Sequence, residues 1–209
     1  MKTTKVITVF QLETLYRIML QRIAKGYTAG QLSFLIGVTP EYVEEVESLQ
    51  RPFYTSDELE RIAVALEESM LHRFFPSVDD NTQLLISVHK EKYNGKWIHT
   101  YYSVNEQNEE EELFRLREDV SWEFEDLPEG DDTLSIVEDT IDILLRSGYF
   151  YEAKLPMEVF HAINKLLPTH LSPLFTHVAM ERMCVANENE YGPLRLVTHQ
   201  NSAYKYEER

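Results

Sequence analysis

The most constraining feature of this sequence is a close series of helix start and stop signals in its first third. Apolar residues recur at intervals of three and four over residues 11–25, which indicates a helix. Gly26 ends that helix, and Thr28 caps the next one with Gln31 as its capping-box partner. Gly37 follows a few residues later and supplies a turn that needs a positive φ. We therefore expect short helices joined by tight turns.

A third helix begins directly after that turn. Thr39 caps it, and Pro40 occupies its first position, where the missing N–H costs nothing. Arg51 precedes the proline that ends it, and a further helix is expected over residues 57–72. The two helices on either side of Gly37 have the spacing of a helix-turn-helix.

The region contains a set of residues at characteristic spacings: Gly26-Tyr27-Thr28, Leu32-Ser33, Gly37-Val38-Thr39, Val43 and Val46. Because of these residues, positions 11–68 resemble the phage-repressor (Cro-like) helix-turn-helix family. The resemblance implies a five-helix domain that binds DNA through the second helix of the pair, the recognition helix. It also implies a structural ion pair, since Glu47 matches the acidic residue of the family and Arg22 matches the basic residue that pairs with it.

The outward surface of the recognition helix departs from the family. The family commonly has glutamine at the position of Ala29, where it orients the domain on a phosphate. A glutamate can accept a hydrogen bond from the amino group of cytosine, but several carboxylates facing the phosphate backbone of DNA are unfavourable. The contact positions for DNA, if it binds, are Thr28, Gln31, Thr39, Glu41, Tyr42, Glu45 and Arg51. The alternative is that the glutamates form an ordinary solvated helix face.

The net charge of −16 is concentrated in one segment. Residues 105–140 contain 15 acidic and 2 basic residues, whereas residues 1–104 contain 13 acidic and 11 basic residues. Such a segment can compete with DNA for a basic groove, recruit a basic partner, or act as a solubilising linker. Four of its residues are too apolar for pure disorder, so we expect part of the segment to dock: Phe114, Leu116, Trp122 and Phe124.

Two hairpins are expected outside the first domain. Asn94-Gly95 lies between two β-rich runs within residues 84–104. Three helices and a second hairpin are expected after residue 134, in the order of a winged helix. Its DNA-contact candidates are Thr176, His177, Arg195 and Lys205, with His199, Gln200 and Asn201 in the wing. The alternative is a small α/β domain that uses the hairpin for packing or dimerisation.

These patterns predict a mainly α protein with small β-hairpins, in which a five-helix Cro-like domain is followed by a winged-helix-like α/β domain. The expected boundaries are 1–76 for the helix-turn-helix domain, 77–133 for the hairpin and acidic connector, and 134–209 for the last domain. We expect a homodimer, because two half-sites raise affinity and specificity. The single cysteine, Cys184, and the lack of long apolar runs indicate a cytoplasmic chain with no membrane partner.

No catalytic or metal-binding pattern is present in the sequence. The histidines have no cysteine or carboxylate neighbours at ligand spacing, so we expect no metal, no cofactor and no enzymatic activity. The first hypothesis is a DNA-binding transcriptional regulator, modulated by its acidic centre. The alternative is a protein-interaction adaptor, or an antitoxin-like partner, that reuses the helix-turn-helix without binding DNA and meets a protein with a basic surface.

Overall fold

The computed structural model describes residues 2–120, 132–185, 192–198 and 203–209. The chain divides into two units. The first comprises Met1–Leu32 and Glu41–Ser121, and the second comprises Ser33–Pro40 and Trp122–Arg209. The turn of the helix-turn-helix and the last residues of the helix before it therefore belong to the second unit, whereas the helix after the turn belongs to the first.

Four α-helices form in the first 70 residues. They are α1 (Val9–Ala24), α2 (Ala29–Leu35), α3 (Tyr42–Glu47) and α4 (Ser56–Ala65). Thr8 caps α1 in a capping box with Gln11, and Thr55 caps α4 in the same way with Glu58. Gly26 and Gly37 both have a positive φ, which satisfies the turns that end α1 and α2.

A four-stranded antiparallel sheet completes the first unit, in the order β1 (Lys2–Thr8), β2 (Gln83–Tyr93), β3 (Lys96–Val104) and β4 (Glu110–Asp119). Tyr93 pairs with Lys96 across the Asn94-Gly95 turn, so the predicted hairpin is confirmed. Strand β4 directs Phe114, Leu116 and Glu118 to the face that packs against the helices, together with the fully buried Tyr101 of β3.

The predicted fold class is wrong. The N-terminal part is not a five-helix Cro-like domain, because strand β1 precedes its helices and pairs with β2 about 80 residues later. The segment expected to be irregular and acidic contains strand β4, which is ten residues long. The protein therefore has a mixed architecture with an extended sheet, rather than a mainly helical one with small hairpins.

The second unit contains α5 (Asp132–Arg146), α6 (Pro156–Leu166), α7 (Pro173–Cys184), β5 (Leu194–Val197) and β6 (Lys205–Glu208). Three helices and a two-stranded sheet occur here in the order that was predicted for this part of the chain, and the winged-helix assignment itself stays a prediction. The backbones of Tyr206 and Lys154 exchange two hydrogen bonds of 2.8 Å, and Tyr206 is 2% exposed. The wing residues His199, Gln200 and Asn201, like Trp122 and Phe124, lie outside the described residues.

No helix within the described ranges is long and apolar enough to cross a membrane.

Candidate nucleic-acid interface

A buried charge cluster fixes α3 in the first unit. Arg22 is 0% exposed, and its five N–H donors make five hydrogen bonds. Two go to Glu47 at 2.8 Å each, two to Glu118 at 2.7 and 3.0 Å, and one to the Tyr27 carbonyl at 2.6 Å. Arg22 and Glu47 are the pair that the family resemblance implied. The cluster joins α1 and α3 to β4, so its role is to hold these elements together.

The electrostatics of the cluster favour its charged state. Burial alone would lower the pKa of the Arg22 guanidinium, but its two carboxylate neighbours outweigh burial and raise that pKa. Burial alone would raise the pKa of Glu118, but hydrogen bonds from His99 and Arg22 hold it at about 2. The hydroxyl of Tyr101 donates to the backbone carbonyl of Glu47, which anchors the end of α3 on the sheet.

The sequence did not predict Glu118 as a partner of Arg22, or His99 as a partner of Glu118. His99 Nε2 lies 3.0 Å from Glu118 Oε2, and both side chains are nearly buried. Glu118 belongs to an acidic stretch and lies 96 positions after Arg22. Its only local signal is the alternation of Phe114, Leu116 and Glu118, which places the carboxylate on the buried face of β4.

The first two DNA-contact candidates, Thr28 and Gln31, are occupied by helix capping. The Thr28 hydroxyl accepts from the backbone N–H of Gln31 at 3.1 Å, and the Gln31 side chain accepts from the backbone N–H of Thr28 at 3.2 Å. Gln31 is only 7% exposed. Their side-chain oxygens therefore stabilise the start of α2, and little of Gln31 is available to a phosphate.

The candidates on α3 and after it contact each other. Tyr42 donates its hydroxyl to Glu58 at 2.6 Å, and burial together with this bond raises the pKa of the phenol. Arg51 forms a salt bridge with Glu45, and its guanidinium lies 4.7 Å from the centre of the Tyr42 ring. The one basic side chain among the candidates of this region is therefore already paired with a carboxylate.

The remaining candidates of the helix-turn-helix are exposed but do not include a cation. Glu41 immediately precedes α3, and its side chain makes no capping hydrogen bond. Glu44 on the same helix forms a salt bridge of 2.7 Å with Lys90 of β2. Thr39, in the segment that belongs to the second unit, is also exposed.

The four candidates of the second unit do not form a basic strip. Thr176 is 1% exposed, and His177 stacks on Phe34 with 4.4 Å between ring centres. Burial lowers the pKa of the His177 imidazole, against the opposing effect of Glu181. Arg195 forms a salt bridge of 2.9 Å with Glu207 across β5 and β6. Lys205 is half-buried on β6.

A polar cluster on the outer face of the sheet was also missed. Ser87 Oγ and Glu110 Oε1 each lie 3.2 Å from Nε2 of His89, and Lys2 forms a salt bridge of 2.9 Å with Glu110. Hydrogen bonds lower the pKa of Glu110 to about 2, and the hydrogen bond from Lys2 has the largest effect. A catalytic relay uses both ring nitrogens of a histidine, whereas here both partners contact the same one. The cluster therefore binds strands together and does not form a relay.

Comparisons with known proteins do not add a family to these observations. No family model, no curated protein and no solved structure matches this chain. The resemblance to the Cro-like family stays a prediction.

Proposed function

We propose that this chain is a protein-interaction module that binds a cationic segment of a partner protein, and that its helix-turn-helix does not bind DNA. The binding surface is the segment from Glu41 to Arg61, which includes α3 and the first part of α4 and is called the acidic face below. It contains seven acidic residues, of which all but the buried Glu47 are at least partly exposed, and two basic residues. DNA affinity depends on donors that neutralise phosphates, so this composition opposes it.

The observation that supports the proposal is the imbalance between donors and acceptors on the acidic face. Both of its cations are paired within it, Arg51 with Glu45 and Arg61 with Asp57. The Tyr42 hydroxyl is a donor that is also used internally, by Glu58. The two cations and the phenol of this face are therefore already bound to carboxylates.

The carboxylates that remain are acceptors without a cation. Glu41 and Glu60 are exposed, and neither forms a salt bridge with a described residue. An unpaired carboxylate at the rim of a surface attracts lysine or arginine of a partner and raises the association rate. Phe53 and Pro52 lie between α3 and α4, and aromatic residues are enriched at protein interfaces. The face thus suits a basic protein segment better than a phosphate backbone.

A direct test compares two probes on the full chain by fluorescence anisotropy. The first probe is a labelled duplex of random sequence at low and moderate salt, and the second is a labelled peptide of alternating lysine and alanine. We expect the peptide to bind and the duplex not to bind. The double variant Glu41→Lys/Glu60→Lys should weaken peptide binding about tenfold, because it removes both unpaired acceptors.

The matched control is Asp139→Lys/Glu106→Lys, which changes the net charge equally at exposed positions outside the acidic face. It should weaken peptide binding less than the variant of the acidic face. Equal losses in the two variants would mean that the peptide senses only net charge, and the proposed site would be wrong. Duplex binding that weakens as salt rises would overturn the proposal and favour the second candidate, a DNA-binding regulator, which the order of α2, turn and α3 supports.

A further inference from the structure

The outer face of the sheet contains a cavity whose charge is opposite to that of the chain. It has a volume of about 450 Å³ and lies beside the β2–β3 hairpin. Three cations line it, Lys96, Arg115 and Arg117, against one carboxylate, Glu91. The chain as a whole has 36 acidic and 20 basic residues, so this local excess of cations runs against its composition. A concave cationic surface concentrates anions.

Strand register defines the layout of the cavity. Glu91, Ile98 and Arg117 lie in one row across β2, β3 and β4, with the nearly buried Ile98 between the two charged residues. Since neighbouring strands are about 4.8 Å apart, the backbones of Glu91 and Arg117 are separated by about 10 Å. Arg115 lies two positions before Arg117 on the same face of β4, about 7 Å away along the strand. The two arginines therefore flank one end of an apolar floor.

Arg117 is the side chain that most clearly lacks a partner. It is exposed and forms no salt bridge or hydrogen bond with any residue in the described ranges, and the same holds for Glu91. Arg115 forms a salt bridge of 2.7 Å with Glu112, and Lys96 forms one of 2.6 Å with Asp119. The arginine fork matches the oxygens of a phosphate or carboxylate through parallel N–H donors. An anionic group placed between Arg115 and Arg117 would accept hydrogen bonds from Arg117 without breaking the salt bridge of Arg115 with Glu112.

The other lining residues indicate which chemical groups the ligand has besides its anionic group. Tyr93 is 65% exposed at the hairpin end of the cavity and offers an aromatic face for stacking. Glu91 would repel a bare phosphate but accepts hydrogen bonds from hydroxyl groups, as acidic residues do from ribose in dinucleotide-binding sites. A phosphate beside arginines, a hydroxylated linker beside Glu91 and a planar ring on Tyr93 are the three parts of a nucleoside monophosphate.

We propose that this cavity binds a nucleoside monophosphate, with Arg115 and Arg117 on the phosphate, Glu91 on the ribose hydroxyls and Tyr93 under the base. The volume lies within the range of about 300–1,000 Å³ that small-molecule sites occupy. This site is separate from the acidic face and does not depend on the function proposed for that face. Its ligand is a free nucleotide, because a longer polyanion would also meet Glu91, Asp119 and the acidic start of β4.

Isothermal titration calorimetry on the full chain tests the proposal with four probes: AMP, UMP, adenosine and inorganic phosphate. We expect AMP or UMP to bind with a stoichiometry of one, at least about tenfold more tightly than adenosine or inorganic phosphate. The variant Arg117→Gln should weaken nucleotide binding about tenfold, because it removes a charge-assisted hydrogen bond. The control Arg146→Gln removes the same charge from an exposed arginine of α5 and should change nothing.

Two further variants separate the parts of the ligand. Tyr93→Ala should weaken nucleotide binding while leaving inorganic phosphate unchanged, and Glu91→Gln should strengthen binding of inorganic phosphate but weaken that of the nucleotide. All these side chains are exposed, so the fold should persist, and a thermal melt checks it. The proposal is overturned if neither nucleotide gives saturable heat at millimolar concentration, or if Arg117→Gln has no more effect than Arg146→Gln.

Discussion

Replacing Arg22 with methionine should destabilise the first unit more than almost any other single substitution. Methionine keeps an unbranched, flexible side chain in the place of the arginine stem but has no guanidinium, so the change removes the charge and all five donors while the stem still packs. It would leave the Glu47 carboxylate, which is 3% exposed, and Glu118, whose side chain is 11% exposed, without their main partner. Removing one partner of a buried ion pair costs about 3–5 kcal/mol, because the remaining charge is neither paired nor hydrated.

The assay is urea unfolding followed by circular dichroism at neutral pH, with thermal melting as a second measure. A loss of about 4 kcal/mol corresponds to a drop of roughly 10 °C in Tm for a chain of this size. The triple variant Arg22→Met/Glu47→Leu/Glu118→Gln removes all three charges and should recover most of the loss. A cost below about 1 kcal/mol for Arg22→Met, or a triple variant as unstable as the single one, would refute the argument.

Two other outcomes follow from the same contacts. The pKa of Glu118 is lowered to about 2 from an ordinary value of 4.5, which corresponds to about 3 kcal/mol of folding stability. This stability is present above pH 4.5 and is lost as the pH falls towards 2. Glu118→Gln should therefore flatten this part of the pH profile of stability, measured by urea unfolding at several pH values. Gly37→Ala should cost about 3 kcal/mol of stability, because φ is +72° and a Cβ would lie 2.7 Å from the Tyr204 carbonyl oxygen. Gly26→Ala should cost about 1 kcal/mol, because its φ of +73° is similar but a Cβ there would meet open space. Equal decreases in Tm for the two variants would contradict the steric argument.

Local signals were sufficient to predict two of the turns of this protein. Gly37 was expected to have a positive φ, and Asn94-Gly95 was expected to close a hairpin; both expectations are confirmed. These features depend on a few neighbouring residues, because a left-handed backbone position strongly favours glycine or asparagine. The same reasoning placed capping residues at the start of α2, where Thr28 and Gln31 form a capping box.

The full sheet could not be predicted from the sequence, because its first strand pairs with a partner far along the chain. Residues 2–8 have a weak local pattern, and they form β1 because β2 offers a partner edge far along the chain. The stretch 110–119 was classed as an acidic connector by its charge, although its alternate residues are buried against α1 and the other strands. The charged residues of this strand lie mostly on its exposed face, whereas the residues on its buried face determine how it packs. The overall charge of the stretch therefore did not indicate a strand.

The sequence nevertheless contained an indication that the cluster around Arg22 is larger than one ion pair. A buried guanidinium has five N–H donors, and a single carboxylate such as Glu47 satisfies two of them in the bidentate arrangement seen here. The other three need further buried acceptors, which are the Glu118 carboxylate and the Tyr27 carbonyl. Counting donors could therefore have predicted a second acceptor for Arg22. It could not have selected Glu118 from 36 acidic residues, because that choice depends on which strand the sheet brings beside α1.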